Sequence, residues 1–400
     1  MRIGADGAHL TYCSNIHPGE SWAAVRSNLE RYFTAVHKRV APGSDFGVGL
    51  RLSAQAAREL AEPGALDELR DFLRRERLYV FTINGFPYGT FHDTRVKEAV
   101  YLPDWRDGER LRYTNQLADL LAQLLPQQPG LEGSVSTVPC AYKPEVSGEA
   151  DVERMADNLL RHVAHLIELE RATGRRIALA IEPEPHCYLE TVDESVGFFK
   201  RHLFSARGVR RLGELVGIDR QGAAVALQEH IGLCLDLCHA AVEFEDPSDC
   251  PRRLDEAGIR VHKLQISAGL RLPELTPQAL EVLRRFDDAV YLHQVVESSP
   301  AGLRRFADLP EAFAALNGGP REREWRVHFH VPIFLDRLEA FSSTQFFIRS
   351  VLKLHRGQPI TRHLEVETYT WNVLPDSLRT AAIEDAVARE LNWVREELKA

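Results

Sequence analysis

The chain is poor in cysteine, with six residues in 400 and no Cys-x-x-Cys pair. That excludes a disulfide framework, and Cys234 and Cys238, four apart, do not have zinc-ribbon spacing. Reduced thiols in a cytoplasmic protein are the expectation. No run of about 18 apolar residues occurs, which excludes a helical membrane span. The segment Met1-Arg2-Ile3-Gly4-Ala5-Asp6-Gly7 lacks the charged region and apolar block of a signal peptide. Basic residues are the minority, 49 against 58 acidic, for a formal charge of −9. A polyanion is repelled on average by such a surface, so no nucleic-acid partner is expected. Glycine and proline show no period, which removes collagen-like classes, and a hydrophobic content of 44% removes disorder as the main state.

What is present is an alternation of short β-rich runs and helical stretches. The strands read as Leu10–Ser14, Phe46–Leu52, Leu78–Asn84, Gly133–Pro139, Ile177–Glu182, Ile231–Asp236, Val261–Ile266 and His363–Glu367. Between them, Trp22, Val25, Leu29 and Phe33 share a helical face. So do Val152, Met155, Leu159, Val163 and Ile167, with Gly174 placed to end that helix. Ile383, Val387, Leu391, Val394 and Leu398 line a terminal helix. Near-continuous apolar strands alternating with helices predict a parallel closed sheet, a (β/α)8 TIM barrel of class α/β. A doubly wound open sheet is disfavoured, because no G-x-G-x-x-G follows the first strand. The prediction is one domain over 1–400, carrying an insertion over 270–360 between the last two strands. Two further strand-like runs, Ala289–Val296 and Trp325–Val331, lie in that insertion and suggest a β-ribbon. A long loop runs from Gly85 to about Trp105, and such loops are often functional.

In a barrel of this kind chemistry sits at the carboxyl ends of the strands. There the sequence offers Glu182, Asp236 with His239 three residues on, Gln265, and the pair Glu365 and Glu367. A carboxylate–carboxylate–amide–carboxylate set suits one hard or borderline divalent ion, Mn2+ or Mg2+ ahead of Zn2+ or Co2+. Glu365 and Glu367 face the same side of a strand, so periodicity does not choose between them. Glu367, nearer the strand's end, is taken as the ligand. His328 and His330 also share a side, either turned toward the mouth as part of a lid or wet on an edge strand, and His293 is equally open.

The strand ending in Glu182, the segments Asp236-Leu237-Cys238-His239 and Lys263-Leu264-Gln265, and Val366-Glu367 resemble the xylose isomerase-like TIM-barrel superfamily of sugar isomerases and epimerases. The resemblance implies Glu182, Asp236, Gln265 and Glu367 as metal ligands and His239 as a substrate contact. Lys263 departs from it, since such isomerases often carry a His there. More specifically, Leu10–Glu20, Tyr79–Gly89, Val327–Pro332 and Glu365–Trp371 resemble the EboE-type metabolite traffic proteins of that superfamily. That likeness implies a role in processing or moving a secondary metabolite. The matching segments bring in Asn15, His17 and Asn84, which with Lys263, His293, His328 and His330 complete the candidate substrate-binding set.

The expectation is a metal-dependent isomerase or epimerase acting on a sugar, polyol or related small molecule. Glu182 and Glu367 would pass a proton while His239 orients a substrate oxygen. One rival is a carrier that keeps the barrel and metal without turnover. Another is a metal-dependent phosphodiesterase like endonuclease IV, which would need a multi-metal, His-rich site.

Overall fold

The computed structural model describes residues 1–3, 7–90, 96–128, 130–316, 322–338, 340–375, 379 and 381–399. Residues 91–95 of the long loop, and 317–321 and 339 of the insertion, lie outside them. Eight parallel strands form the barrel. They are β1 (Ala8–Tyr12), β2 (Phe46–Arg51), β3 (Leu78–Asn84), β4 (Gly133–Thr137), β5 (Ile177–Ile181), β6 (Ile231–Asp236), β7 (Val261–Ile266) and, after the insertion, β14 (His363–Val366). Each neighbours the next in chain order, and β14 pairs with both β7 and β1. A short strand, Arg2–Ile3, lies antiparallel on β1.

Between β1 and β2 the ladder is reduced to a single bridge, Cys13 to Gly49. Side chains close the remaining seam. The Thr11 hydroxyl donates to Gly47 O at 2.7 Å and accepts from Gly49 N at 3.0 Å, and Ser14 Oγ accepts from Arg51 N at 2.7 Å. Glycine is required at 49, because a Cβ there would stand 2.1 Å from Glu365 Oε2 and 2.6 Å from Tyr12 O.

Local sequence sets the helix ends. Ser21, Ser53, Asp107 and Thr191 each accept a backbone N–H with their side-chain oxygen as N-caps. The predicted long helix is observed at Glu149–Thr173, and Gly174 ends it at φ 69°. The first helical face is broken by a π-type turn at Leu29–Phe33, between Trp22–Asn28 and Thr34–Val40.

The barrel interior is layered. At its base, Ser134 Oγ joins His363 Nδ1 at 2.8 Å and Thr82 Oγ1 at 2.8 Å. Above this lies the Lys263–Glu365 pair. The carboxyl ends follow on top.

The insertion is a six-stranded antiparallel sheet rather than a ribbon. Its strands are β8 (Ala268–Leu272), β9 (Val295–Ser299), β10 (Gly302–Phe306), β11 (Glu324–Val331), β12 (Arg337–Leu338) and β13 (Phe341–Ser343), in the order β10-β9-β11-β8-β13-β12. The run Ala289–Val296 is not a strand for most of its length. Asp288 Oδ1 accepts from Val290 N and Tyr291 N, which folds 288–291 into a turn and delays the strand to Val295. Strand β8 follows β7 almost at once. Ser267, between them, donates to Asp236 and accepts from Cys238 N, so the chain leaves the barrel there. Within β11 the pairing with β8 shifts register between Val327 and Val331, the stretch that carries His328 and His330. No helix among the described residues is long and apolar enough to cross a membrane.

Candidate metal centre

Three carboxylates meet at the carboxyl ends of the strands. Asp236 is the last residue of β6 and caps the helix Leu237–Val242. Its Oδ1 accepts from His239 N at 2.9 Å and from Ser267 Oγ at 2.8 Å. Glu182 follows β5 directly, and Glu367 follows β14. Glu367 Oε1 accepts from Asn15 Nδ2 at 2.7 Å and Asn84 Nδ2 at 3.2 Å. One oxygen from each of Glu182, Asp236 and Glu367 lies within 4.8 Å of the other two.

Gln265 sits opposite Asp236 on one side and Glu365 on the other. Its Oε1 accepts the Cys234 thiol at 2.9 Å, while its Nε2 has no partner. Rotation of the amide would exchange these atoms and leave the oxygen as the unpartnered one.

Burial pushes the Glu182 carboxyl well above its usual range, and the Glu367 and Asp236 carboxylates push it further. Glu367 is raised in the same way, by burial and then by Asp236 and Glu365. Asp236 is raised by burial, opposed in part by His330 and by the N–H of His239. Buried like charges at this distance need a cation or protons. Lys263 does not supply the cation, because its Nζ is committed to Glu365 one layer below, at 2.6 Å. Glu182 Oε2, Asp236 Oδ2, Asn15 Oδ1 and His330 Nε2 are all buried without a hydrogen-bond partner. A divalent ion fits this donor set.

The insertion brings imidazoles to the same mouth. His330 Nδ1 pairs with Glu367 O at 3.0 Å, and His330, Asp236 and His239 each place a donor atom within 4.8 Å of the others. His239 Nδ1 pairs with Pro183 O at 2.9 Å, and its Nε2 faces His328 Nε2 at 3.1 Å. Burial holds His239 down to about 3 and His330 to about 4, so both rings are neutral at physiological pH.

Three residues of the candidate set lie apart from the mouth. Lys263 is sealed in the barrel against Glu365, where alternation along β7 turns it inward beneath Gln265. His17 bonds the Tyr12 hydroxyl at 3.1 Å and stacks on Tyr32 at 4.1 Å. His293 bonds Asp288 Oδ2 at 2.5 Å and so holds the turn that precedes β9. The cavity itself is lined by Asn15, Asn84, Tyr101, Glu182, Glu184, His239, Tyr291, His328, Glu367 and Tyr369. Glu184 was visible only as the second Glu of Glu182-Pro183-Glu184-Pro185. It accepts from the Tyr101 hydroxyl at 2.8 Å, and burial raises its pKa to about 8. Tyr101 carried no sequence signal, and Tyr369 was marked only by lying in the EboE-like segment Glu365–Trp371.

A larger cleft, about 730 Å³, opens at the other end of the barrel beside Gly133, Val261 and His363. Among the described residues it gathers no group of metal-ligating side chains, and it lies where the strands begin rather than where barrel chemistry occurs.

No protein family matches the chain, and no curated protein matches it. Solved structures do. A xylose isomerase-like TIM barrel protein from Mycobacterium smegmatis, in complex with magnesium, aligns at 14% identity and TM-score 0.51 over 99% of this chain and 98% of that one. The probable 3-DHS dehydratase AsbF of Bacillus anthracis aligns at 12% identity and TM-score 0.45 over 96% and 97%. The IolI protein with a bound zinc atom aligns at 13% identity and TM-score 0.45 over 98% and 97%. The fold is thus that of xylose isomerase-like TIM barrels.

Proposed function

We propose that the protein is a divalent-metal-dependent isomerase or epimerase acting on a sugar, polyol or related hydroxy-carbonyl compound. The observation that carries this reading is the convergence of Glu182, Asp236 and Glu367, buried and mutually repelling, with Glu182 Oε2 and Asp236 Oδ2 lacking a hydrogen-bond partner. Glu182, Asp236, Gln265 and Glu367 would hold the ion, as the magnesium complex of the Mycobacterium smegmatis protein makes reasonable for this fold. Mn2+ or Mg2+ suits three carboxylates and an amide. When bound, such an ion supplies positive charge that polarises a substrate carbonyl or hydroxyl oxygen.

The chain's own groups do the rest. Glu182 and Glu367 both line the cavity, so one can take the proton beside the carbonyl while the other returns it. Asn15 and Asn84 hold Glu367 Oε1 in place through their amide N–H groups. His239 faces the cavity with Nδ1 anchored on Pro183 O, which leaves Nε2 to meet a substrate oxygen. The insertion sheet acts as a lid, placing Tyr291 and His328 over the carboxylates to exclude water. The EboE-like segments support placing this chemistry in the processing or traffic of a secondary metabolite in the cytoplasm.

Incubating the metal-loaded protein with candidate hydroxy-carbonyl sugars in deuterated water tests the reading. Deuterium should enter the carbon next to the carbonyl, and both Glu182→Gln and Glu367→Gln should abolish it. A sugar that binds the metal-loaded protein with no exchange at any carbon would overturn it in favour of a carrier.

A further inference from the structure

The imidazoles beside the carboxylate centre show an arrangement that the proposed single-metal reading does not use. His239 Nδ1 lies 2.9 Å from Pro183 O, a carbonyl that can only accept, so the ring proton resides on Nδ1. His328 Nδ1 lies 2.7 Å from Gln294 Oε1. The Gln294 amide is oriented by its Nε2, which donates to Pro185 O at 3.2 Å and to the Tyr101 hydroxyl at 2.8 Å. His328 therefore also carries its proton on Nδ1. Both Nε2 atoms are then bare lone pairs, and they face each other at 3.1 Å.

Two lone pairs in that position repel unless a cation lies beside them. Ligands about 2.0–2.1 Å from a tetrahedral zinc ion stand about 3.3 Å apart, close to the spacing seen here. The pinning of each Nδ1–H on an oxygen is the outer arrangement that orients histidine ligands generally. Glu184 completes the group, with one oxygen within 4.8 Å of a ring nitrogen of each histidine and its Oε1 3.6 Å from His328 Nδ1. All three side chains are buried.

We propose a second divalent-cation site, formed by Glu184, His239 and His328, next to the carboxylate centre. Its imidazole-rich donors suit Zn2+ or a similar borderline ion, whereas the three carboxylates suit a harder one. His328 comes from the insertion, so the site is complete only with the lid in place. Two neighbouring cations would select a substrate that offers two adjacent oxygen atoms, such as a hydroxy-carbonyl pair. The contact between His239 and substrate would then run through the cation. This site stands on its own donors and does not depend on the carboxylate centre being catalytic.

The test is a crystal of the full chain soaked in Zn2+, with anomalous data collected at the zinc edge, alongside equilibrium dialysis against Zn2+. The expected result is a peak between the Nε2 atoms of His239 and His328 besides one at the carboxylates. Dialysis should give two ions per chain, falling to one in His328→Ala. A peak at the carboxylates alone would overturn the second site and leave the proposed function standing. Peaks at neither place would overturn both.

Discussion

Lys263 Nζ lies 2.6 Å from Glu365 Oε1, with both side chains wholly buried inside the barrel. Burial pulls the lysine's pKa down, and Glu365 together with Cys234 and Cys13 raises it above its ordinary value, so it stays protonated. The pair separates two residues that alternation puts on one side. Glu365 faces the lysine below, and Glu367, two residues on, reaches the mouth with Glu182 and Asp236.

Lys263→Met should therefore destabilise the protein by about 3–5 kcal/mol, because it leaves a buried carboxylate uncompensated. Adding Glu365→Leu should restore most of that loss. Denaturant melts of the two single variants and the double variant measure the effect. Additive losses would show that the two groups do not act as a pair.

At the seam between β1 and β2, Thr11 replaces part of a backbone ladder. Thr11→Val keeps the shape but removes a donor and an acceptor, leaving Gly49 N and Gly47 O without that partner. The expected cost is about 1–3 kcal/mol, read as a lower denaturation midpoint. Hydrogen exchange should quicken first at Gly49. An unchanged midpoint would mean that the seam is not a weak point.

Glu182→Gln should weaken binding of Mn2+ by about 10–100-fold or more, as a neutral amide replaces a carboxylate among buried like charges. Elemental analysis after dialysis reads it. Undiminished metal content would remove Glu182 from the ligand set. The variant should melt no lower than wild type without metal, because it also removes one of three repelling charges.

The barrel was legible because its strands are apolar runs ending in polar residues, a pattern that survives in a single sequence. Strands β3, β6 and β7 match their predicted limits. The carboxylate residues were legible for the same reason, since Glu182 and Asp236 each terminate such a run. The insertion was legible as extra chain with a strand at Trp325–Val331, observed at Glu324–Val331, but its six-stranded sheet was not. Its strands pair across long stretches of chain, and β8 begins one residue after β7 with only Ser267 to mark the change. His328 and His330 read as ambiguous because alternation gives a shared side but not what that side meets. Glu184, Tyr101 and Gln294 become neighbours only when the loops after β3 and β5 meet the insertion. Lys263 entered the candidate set through the isomerase-like segment Lys263-Leu264-Gln265, and the sequence does not show that its partner, Glu365, lies inside the barrel.

One lysine side chain adds three bonds between the lid and the long loop, beside the backbone N–H groups of Val96 and Lys97 on Val290 O and Gln294 on the Tyr101 hydroxyl. Lys97 Nζ donates to Asp308 Oδ2 at 2.7 Å, Tyr291 O at 2.6 Å and Asp288 O at 3.2 Å. Lys97→Met should loosen this tie while leaving the carboxylates untouched. Amides of Val290, Tyr291 and His293 should exchange about 10–100-fold faster, and metal content at the carboxylate centre should stay the same. Equal exchange rates in both proteins would show that the lysine side chain does not hold the lid.

Metal binding at the carboxylate centre should release protons near neutral pH. Glu182 and Glu367 are raised well above the usual carboxylate range, and Glu184 is raised to about 8. Without metal, Glu182 and Glu367 keep their protons to higher pH than free carboxyls do, and a bound cation requires the ligating carboxylates ionised. Affinity for Mn2+ should therefore rise as pH increases from 6 toward 8, by up to about tenfold per unit for each proton displaced. The sign for stability is the reverse. A carboxyl group raised in the folded state favours folding below its unfolded pKa, and that contribution is lost as pH rises through the folded value. For Glu184 the window runs from its ordinary 4.5 to about 8. The metal-free protein should thus gain most in melting temperature from Mn2+ at the alkaline end of this window. Calorimetric titrations at pH 7 in buffers of different ionisation enthalpy count the released protons. Tight binding with none released would mean that the carboxylates are already ionised, and that the crowding among Glu182, Asp236 and Glu367 is relieved by something other than a proton.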